Sequence, residues 1–302
     1  MTASVPDPRP VVVGVDESDS ARDAAEWAAD LAALWQAPLR LVHTIPGEPD
    51  GPPVTAVPGW LRELVDAAER CGATRIGAEV LPGSAIDVLA GRSAPARLLV
   101  IGSYGGGAWS GMLTGPTAIA LIGRAACPVA IVRGASPQIP PPRSGPVVVG
   151  VDGSPAADAA LGFAADLAAA EGARLLVVHT WTAVVADATG GVRRLRDDWG
   201  TLAARGAELL TAHLAPVLRC HPGLPVERVV VGDTPLRALL DRCGGARLAV
   251  VGLRGPGPGS GMVLGSTSRA LVEFATCPVI VTKPIVTTSP PQRAGRAAGT
   301  RG

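Results

Sequence analysis

The feature that most constrains this chain is that it repeats itself. Residues 10–44 align with residues 146–180 without gaps at an offset of 136, with 21 identities in 35 positions. Residues 96–132 align in the same way with residues 246–282, now at an offset of 150. The offset grows by 14 because the second copy is longer between about 181 and 230. A chain of 302 residues built in this way predicts two domains of similar fold.

The repeat and the composition of the segments around it give a division of the whole chain. A stretch rich in proline separates the copies and is expected to be stiff and non-helical. The last residues are basic and contain several glycines and prolines, which favours disorder. The predicted parts are an N-terminal extension at 1–9, domain 1 at 10–134, a linker at 135–145, domain 2 at 146–284 and a disordered tail at 285–302.

Each copy alternates short apolar runs with alanine-rich amphipathic segments. Continuous apolar strands between such helices predict an α/β fold in which a parallel sheet has helices on both faces. The predicted strands of the first copy are 11–15, 39–44, 75–80, 97–101 and 128–132. Its predicted helices lie near 19–36 and 59–71, from about 84, and near 116–125. The predicted strands of the second copy are 147–151, 174–179, 226–231, 247–251 and 278–282. A sheet of this kind binds ligands beyond the carboxyl ends of its strands, so the loops after the first and fourth strands are the expected site.

Composition excludes several classes of function. The net charge of +1 gives no indication of a nucleic-acid partner. The apolar runs are far shorter than the roughly 20 residues of a membrane-spanning helix, so no membrane partner is expected. The first residues have neither a basic leader nor an apolar core, which favours a cytoplasmic protein. The five cysteines show no metal-ligand spacing, and we predict no metal site formed by side chains.

Two loops of the second copy have the residues of a nucleotide site. After the first strand, Asp152 is followed by Gly153 and Ser154, and either the carboxylate faces the ligand crevice or the segment simply caps the next helix. After the fourth strand, Gly252 and Gly255 lead to a helix start at Gly265. Glycines let backbone amides approach a phosphate, and a helix start directs N–H groups towards it. A flexible loop before an ordinary helix start is the alternative when this loop is considered alone. The helix begins with Ser266, Thr267 and Ser268, whose hydroxyls would add donors, and Arg254 would add positive charge.

The spacing Gly-x2-Gly-x9-Gly-[Ser/Thr] at Gly252, Gly255, Gly265 and Ser266 resembles the ATP-binding signature of the universal stress protein family. The sequence Val-Gly-Val-Asp-Gly-Ser at 149–154 and Cys-Pro-Val at 277–279 also resemble that family, and the resemblance covers nearly all of both copies. It implies five-stranded domains of strand order 3-2-1-4-5. It also implies ATP as the ligand, alone or with Mg²⁺, and an internal pseudo-dimer in which residues 128–132 and 278–282 meet. A homodimer of the whole chain stays open.

For the ligand, the resemblance implies that Asp152 lies near the adenine or ribose and that the backbone at Thr180 borders the base. The loop glycines and the serines at 266 and 268 would hold the ribose and phosphates.

The first copy has a weaker version of the same site. Its counterpart residues are Asp16, Gly102, Gly105 and Gly115. However, Pro116 replaces the serine and has neither an N–H group nor a hydroxyl, and Ala118 stands where the second copy has Ser268. Pro at the first helical position keeps the helix intact, so the loss is expected to fall on phosphate binding. We therefore expect ATP mainly in domain 2.

The leading hypothesis is a stress-response regulator that binds nucleotide without efficient turnover, with no catalytic residue. A slow ATPase or an adenylyl-transferring enzyme is one alternative, and a nucleotide-independent interaction protein is another. His43 and His179, at equivalent positions, are interpreted as structural or as bordering the site rather than as catalytic. The six tryptophans are interpreted as packing residues: Trp27, Trp35, Trp60, Trp109, Trp181 and Trp199.

Overall fold

The computed structural model describes residues 9–48, 56–104, 114–136, 138–181, 199–254 and 264–284, and the backbone of 184–186 and 192–194. The expected extension (apart from residue 9) and the expected tail, together with Gly105, Trp109 and Gly255, lie outside the described residues.

Domain 1 alternates five strands with four helices. Its elements are β1 (Val11–Gly14), α1 (Asp19–Leu34), β2 (Leu39–Ile45), α2 (Gly59–Arg70), β3 (Ile76–Pro82), α3 (Ala85–Ser93), β4 (Leu98–Gly102), α4 (Pro116–Arg124) and β5 (Val129–Val132).

Domain 2 repeats this pattern and adds a short hairpin. Its elements are β6 (Val147–Gly150), α5 (Pro155–Ala170), β7 (Leu175–Trp181), β8 (Val184–Ala186), β9 (Val192–Arg194), α6 (Trp199–Cys220), β10 (Val226–Gly232), α7 (Pro235–Cys243), β11 (Leu248–Gly252), α8 (Ser266–Phe274) and β12 (Val279–Thr282). The hairpin of β8 and β9 falls in the longer part of the second copy and was not predicted from the sequence.

The strand order confirms two tandem domains of order 3-2-1-4-5. The ten-stranded sheet has the order β10-β7-β6-β11-β12-β5-β4-β1-β2-β3. The two domains therefore lie side by side, and the strand order of domain 1 is the mirror image of that of domain 2. Pairing within each domain is parallel, and the two final strands pair antiparallel, with Ile280 opposite Ala130. The two final strands therefore meet in the centre of a continuous sheet.

Helices cover both faces of the sheet. Alternate side chains of each strand point to opposite faces, so each strand contributes to the core on both sides. Val11 and Val13 belong to a buried cluster that includes side chains of α1, α2, α5 and α6, whereas Val12 belongs to a second cluster that includes side chains of α3, α4, α7 and α8. All three valines are at most 2% exposed, which explains why these strands read as continuous apolar runs in the sequence. No helix within the described ranges has both the length and the apolar character needed to cross a bilayer.

The domains also hold each other through the ends of their last helices. After β5, the Arg133 guanidinium donates to the carbonyl oxygens of Val272 (3.2 Å) and Glu273 (2.6 Å) at the end of α8. At the equivalent position after β12, the Lys283 ammonium donates to the carbonyl oxygens of Gly123 and Ala125 at the end of α4. Each domain thus supplies the cation that satisfies the last carbonyl groups of the other domain's final helix.

Candidate functional site

The candidate site lies at the carboxyl ends of three neighbouring strands of domain 2. Strand β6 pairs with β7 on one side and with β11 on the other, and the strand order reverses between β6 and β11. Asp152 follows β6, Thr180 is the last but one residue of β7, and Gly252 ends β11. The fold therefore brings the loops that the sequence singles out to the edge where such sheets bind ligands.

Asp152 closes the turn between β6 and α5. Its Oδ1 accepts a hydrogen bond of 3.0 Å from the N–H group of Ser154. The Ser154 hydroxyl in turn caps α5 by accepting from the N–H group of Ala157 at 3.2 Å. Asp152 is exposed, so one of its oxygens organises the turn while the carboxylate stays accessible at the crevice. Both readings of this segment, the cap and the accessible carboxylate, hold together.

Gly252 is required by packing. A Cβ at this position would lie 2.7 Å from the carbonyl carbon and oxygen of Ala156 in the first turn of α5. Gly102 has the same relation to the backbone of Ser20 in domain 1, where the carbonyl carbon and oxygen would be 2.8 Å away. These glycines allow the first helix of each domain to cross the end of the fourth strand. Their presence alone is therefore not a signature of phosphate binding.

The helix α8 begins differently from the helix that follows the first strand. Gly265 is its N-cap residue, with φ −63° and ψ 152°, and no side chain caps the helix. These angles are available to any residue, so a glycine is not needed for the backbone conformation. Ser266 is exposed and Thr267 is half-buried at the helix start. A side chain, that of Ser154, caps the first amides of α5, whereas no side chain caps those of α8.

Ser268 makes a different contact from the one expected. Its side chain is buried, and its hydroxyl donates to the carbonyl oxygen of Gly252 at 2.7 Å. The N–H group of Gly265 donates to the carbonyl oxygen of Leu253 at 2.9 Å, which closes the loop a second time. Ser268 therefore ties the two ends of the glycine-containing loop together, and the hydroxyls left for a ligand in this first turn are those of the exposed Ser266 and the half-buried Thr267. Arg254, two residues after β11, is exposed and makes contacts of its own within the chain.

The counterpart site in domain 1 keeps the loop closure but lacks the polar helix start. Asp16 follows β1, and its Oδ1 accepts from the N–H group of Ser18 at 3.0 Å. The N–H group of Gly115, the N-cap residue of α4, donates to the carbonyl oxygen of Ser103 at 3.0 Å. Pro116 is the first residue of that helix, and Ala118 is buried and has no hydroxyl for the bond that Ser268 makes.

The end of that loop serves the domain interface. The hydroxyl of Thr114, the residue before Gly115, donates to the carbonyl oxygen of Val272 in α8 at 2.7 Å. The equivalent residue of domain 2 is the buried Leu264. In domain 1, the segment that leads into the helix start is therefore engaged with the partner domain.

The two equivalent histidines form hydrogen bonds with backbone carbonyl groups. The Nδ1 atoms of His43 and His179 lie 2.9 and 2.8 Å from the carbonyl oxygens of Val15 and Val151. A carbonyl oxygen only accepts, so in both rings Nδ1 carries the proton that is donated. Each histidine ties the end of the second strand to the end of the first, in agreement with a structural role at the border of the site.

Interpreting all tryptophans as packing residues is wrong for Trp199. Trp27 and Trp35 are buried, but Trp199 at the start of α6 is 72% exposed. The sequence did not reveal this, because α6 begins within the longer part of the second copy, where the repeat gives no counterpart.

Comparison with known proteins agrees with this architecture. The model of the universal stress protein family matches residues 8–133 and again residues 144–283. A universal stress protein of Mycobacterium tuberculosis is 34% identical over 293 residues, covering 92% of this chain and 97% of that protein. A second one from the same organism is 34% identical over 289 residues, covering 90% and 96%. The crystal structure of a universal stress protein from Archaeoglobus fulgidus has the same fold, with a TM-score of 0.63 at 21% identity over 91% of this chain and 98% of that one.

Proposed function

Because the chain belongs to the universal stress protein family, we propose that it is a regulatory nucleotide binder that holds ATP mainly in its second domain. The observation that carries the proposal is the start of α8. Here a glycine N-cap without a capping side chain precedes the exposed Ser266, at the strand edge where Asp152 is also accessible. Exposed N–H groups at a helix start favour an anion such as a phosphate. The glycine spacing that resembles the family's ATP signature supports the same conclusion.

The asymmetry between the domains follows from the residue at the first helical position. Pro116 removes both the N–H group and the hydroxyl that Ser266 offers. Hydrogen bonds to charged groups contribute roughly 1.5–3 kcal/mol each, so the loss of two corresponds to a reduction in affinity of about a hundredfold or more. Stress response as the biological setting and a cytoplasmic location are part of the same proposal.

Calorimetric titration with ATP tests the proposal on one matched pair of variants, Gly265→Val and Gly115→Val. The φ angle is −63° at Gly265 and −61° at Gly115, so valine fits the backbone at both positions without strain. At Gly115 a Cβ would meet no atom within 4 Å. We expect the stoichiometric ATP site to disappear in Gly265→Val and to persist in Gly115→Val. Equal loss in both variants would contradict the asymmetry, and a wild-type protein that binds no ATP would contradict the function.

The proposal includes binding without efficient hydrolysis. Of the described residues at this edge, His179 is held by its Nδ1 contact with Val151, and Asp152 accepts from the turn that it closes. These contacts engage Nδ1 of His179 and one oxygen of Asp152 with the backbone, and we propose that neither residue serves as a base for an attacking water molecule. Prolonged incubation with ATP checks this point: rapid release of ADP or AMP that Ser266→Ala abolishes would make the protein an enzyme.

A further inference from the structure

An aromatic pair stands at the carboxyl edge of domain 2, next to the candidate site. Trp181 is the last residue of β7 and Trp199 is the first residue of α6. Their ring centroids are 5.8 Å apart with an angle of 77° between the ring planes. Trp199 is 72% exposed, so a large part of its ring surface is open at this edge.

The chain makes room for this pair. Trp181 lies across Gly232, the last residue of β10, where a Cβ would be 2.9 Å from Cζ2 and Cη2 of the indole. A side chain at Gly232 would therefore displace the ring. The indole Nε1 is buried and has no hydrogen-bond acceptor among the described residues. Buried N–H groups nearly always have an acceptor, so this donor is an unusual feature of the edge.

The backbone at Trp181 lies near that at Asp152. The 2.8 Å contact between His179 and the carbonyl oxygen of Val151 fixes the relative position of the two strand ends. Asp152 follows Val151, and Trp181 lies two residues beyond His179. From strand spacing and rise per residue, the Cα atoms of Asp152 and Trp181 are roughly 6 Å apart.

Helix α6 borders the same turn. A Cβ on Gly153, which has φ +82°, would lie 3.3 Å from Cδ1 of Leu209 and 3.7 Å from Nε2 of His213. These contacts come from the middle of α6, ten and fourteen residues after Trp199, so they place the body of the helix, and not Trp199 itself, beside the turn.

Among its described residues, domain 1 has no equivalent of the pair. The residues that align with Trp181 and Gly232 are Ile45 and Pro82. Trp60, at the start of α2, packs edge-on against His43 with ring centroids 4.9 Å apart. The aromatic pair thus belongs to the same domain as the polar start of α8.

We infer that Trp181 and Trp199 form the wall against which domain 2 stacks the base of its nucleotide. The inference rests on the proposed function and adds how the base, rather than the phosphates, is recognised. The exposed face of Trp199 offers a stacking surface for a planar heteroaromatic base. Trp181 packs edge-on against that ring and supports it.

The test compares ATP with inorganic tripolyphosphate, which carries the phosphates without the base, in titrations of the full chain. Stacking on an aromatic side chain contributes roughly 1–3 kcal/mol per base, so Trp199→Ala is expected to weaken ATP binding about five- to a hundredfold. Tripolyphosphate binding is expected to stay unchanged. Trp199→Phe, which keeps an aromatic face, should recover most of the ATP affinity.

Phe274→Ala is the matched control, because Phe274 is an exposed aromatic residue (49%) at the far end of α8. It should leave both affinities at the wild-type level. ATP affinity within twofold of wild type in Trp199→Ala would overturn the inference while the proposed function stands. Equal weakening of ATP and tripolyphosphate in that variant would also overturn it. Failure of the wild type to bind ATP would reject the proposed function itself, and the inference with it.

Discussion

Ser268 belongs to a predicted binding motif, but its hydroxyl stabilises the loop of that motif. The sequence places a hydroxyl in the first turn of α8 and so predicts a phosphate donor there. The structure gives that hydroxyl to the carbonyl oxygen of Gly252. A sequence identifies the turn on which a serine stands but not the acceptor nearest to it. The same limit applies to Gly252, whose lack of a side chain is required by the crossing of α5.

Ser268→Ala and Ser266→Ala are therefore expected to differ. Ser268→Ala removes a buried hydrogen bond and leaves the carbonyl group of Gly252 without this donor, which should lower the free energy of unfolding by about 1 kcal/mol. Ser266 is exposed, so Ser266→Ala should leave stability unchanged and reduce ATP affinity directly. Urea denaturation and ATP titration of both variants separate the effects. A Ser268→Ala protein as stable as the wild type would show that the bond to Gly252 contributes nothing.

At the scale of the element, α1 carries a row of acidic side chains of which α5 keeps only the last, Asp166. Asp19, Asp23, Glu26 and Asp30 follow each other at three- and four-residue spacing, so they share one face of the helix. Arg143 from the linker pairs with Asp30 at 2.8 Å and with Glu26 at 3.5 Å. Burial, together with the carboxylates of Glu26 and Asp19, raises the pKa of Asp23 from 3.8 to about 6. Domain 2 has an alanine, Ala159, at the corresponding position.

This raised pKa predicts the sign of a pH dependence. Between about pH 4 and 6 the folded chain holds the Asp23 proton more tightly than the unfolded chain, so stability falls as the pH rises through this range. Asp23→Asn should reduce that fall, to which the raised pKa values of the partly buried carboxyls of Asp30 and Glu171 also contribute, and make the protein more stable at pH 7. Because the carboxyl is partly exposed, the gain is expected to be on the order of 1 kcal/mol. Thermal unfolding between pH 4 and 7 measures it, with Asp66→Asn on the exposed side of α2 as the control. A wild-type slope retained in Asp23→Asn would contradict the assignment.

The regular elements were largely predictable, since buried parallel strands are continuous apolar runs whose ends are marked by Gly, Pro or charged residues. The predicted strand at 147–151 is observed as Val147–Gly150, and that at 226–231 as Val226–Gly232. The start of α6 at Trp199 and the hairpin β8–β9 were missed because the longer part of the second copy has no repeat partner. Family resemblance, rather than any pattern in the strands, supplied the strand order, because the order depends on contacts between distant segments.

At the scale of the whole molecule, the two domains share one sheet and exchange helix-capping cations. Arg133 lies about 140 residues from the carbonyl groups that it satisfies, so no local pattern predicts this contact. Burial lowers the pKa of Arg133, and its two hydrogen bonds to α8 offset the cost of placing the charge there. The repeat does place Lys283 at the equivalent position, but two aligned cations do not reveal that each reaches across the interface.

Arg133→Met is expected to destabilise domain 2, although Arg133 belongs to domain 1. It leaves the carbonyl groups of Val272 and Glu273 without their charged donor, and the loss of such bonds costs about 1.5–3 kcal/mol. Calorimetric unfolding of the full chain should show this loss. Arg124→Met is the control, because Arg124 pairs with Asp87 on the surface within domain 1 and exposed pairs contribute about 1 kcal/mol or less. Equal effects of the two variants would contradict a role for the cap.

The exchange of caps has a consequence for how this gene can change. The codon for the cation that completes α8 stands in the first half of the coding sequence, and the codon for the cation that completes α4 stands in the second half. Cutting the gene at the linker would give two products that each lack one capping residue. A substitution at Arg133 or Lys283 therefore removes a contact of the opposite copy, so a change in one half of the gene alters the stability of the helix that the other half encodes.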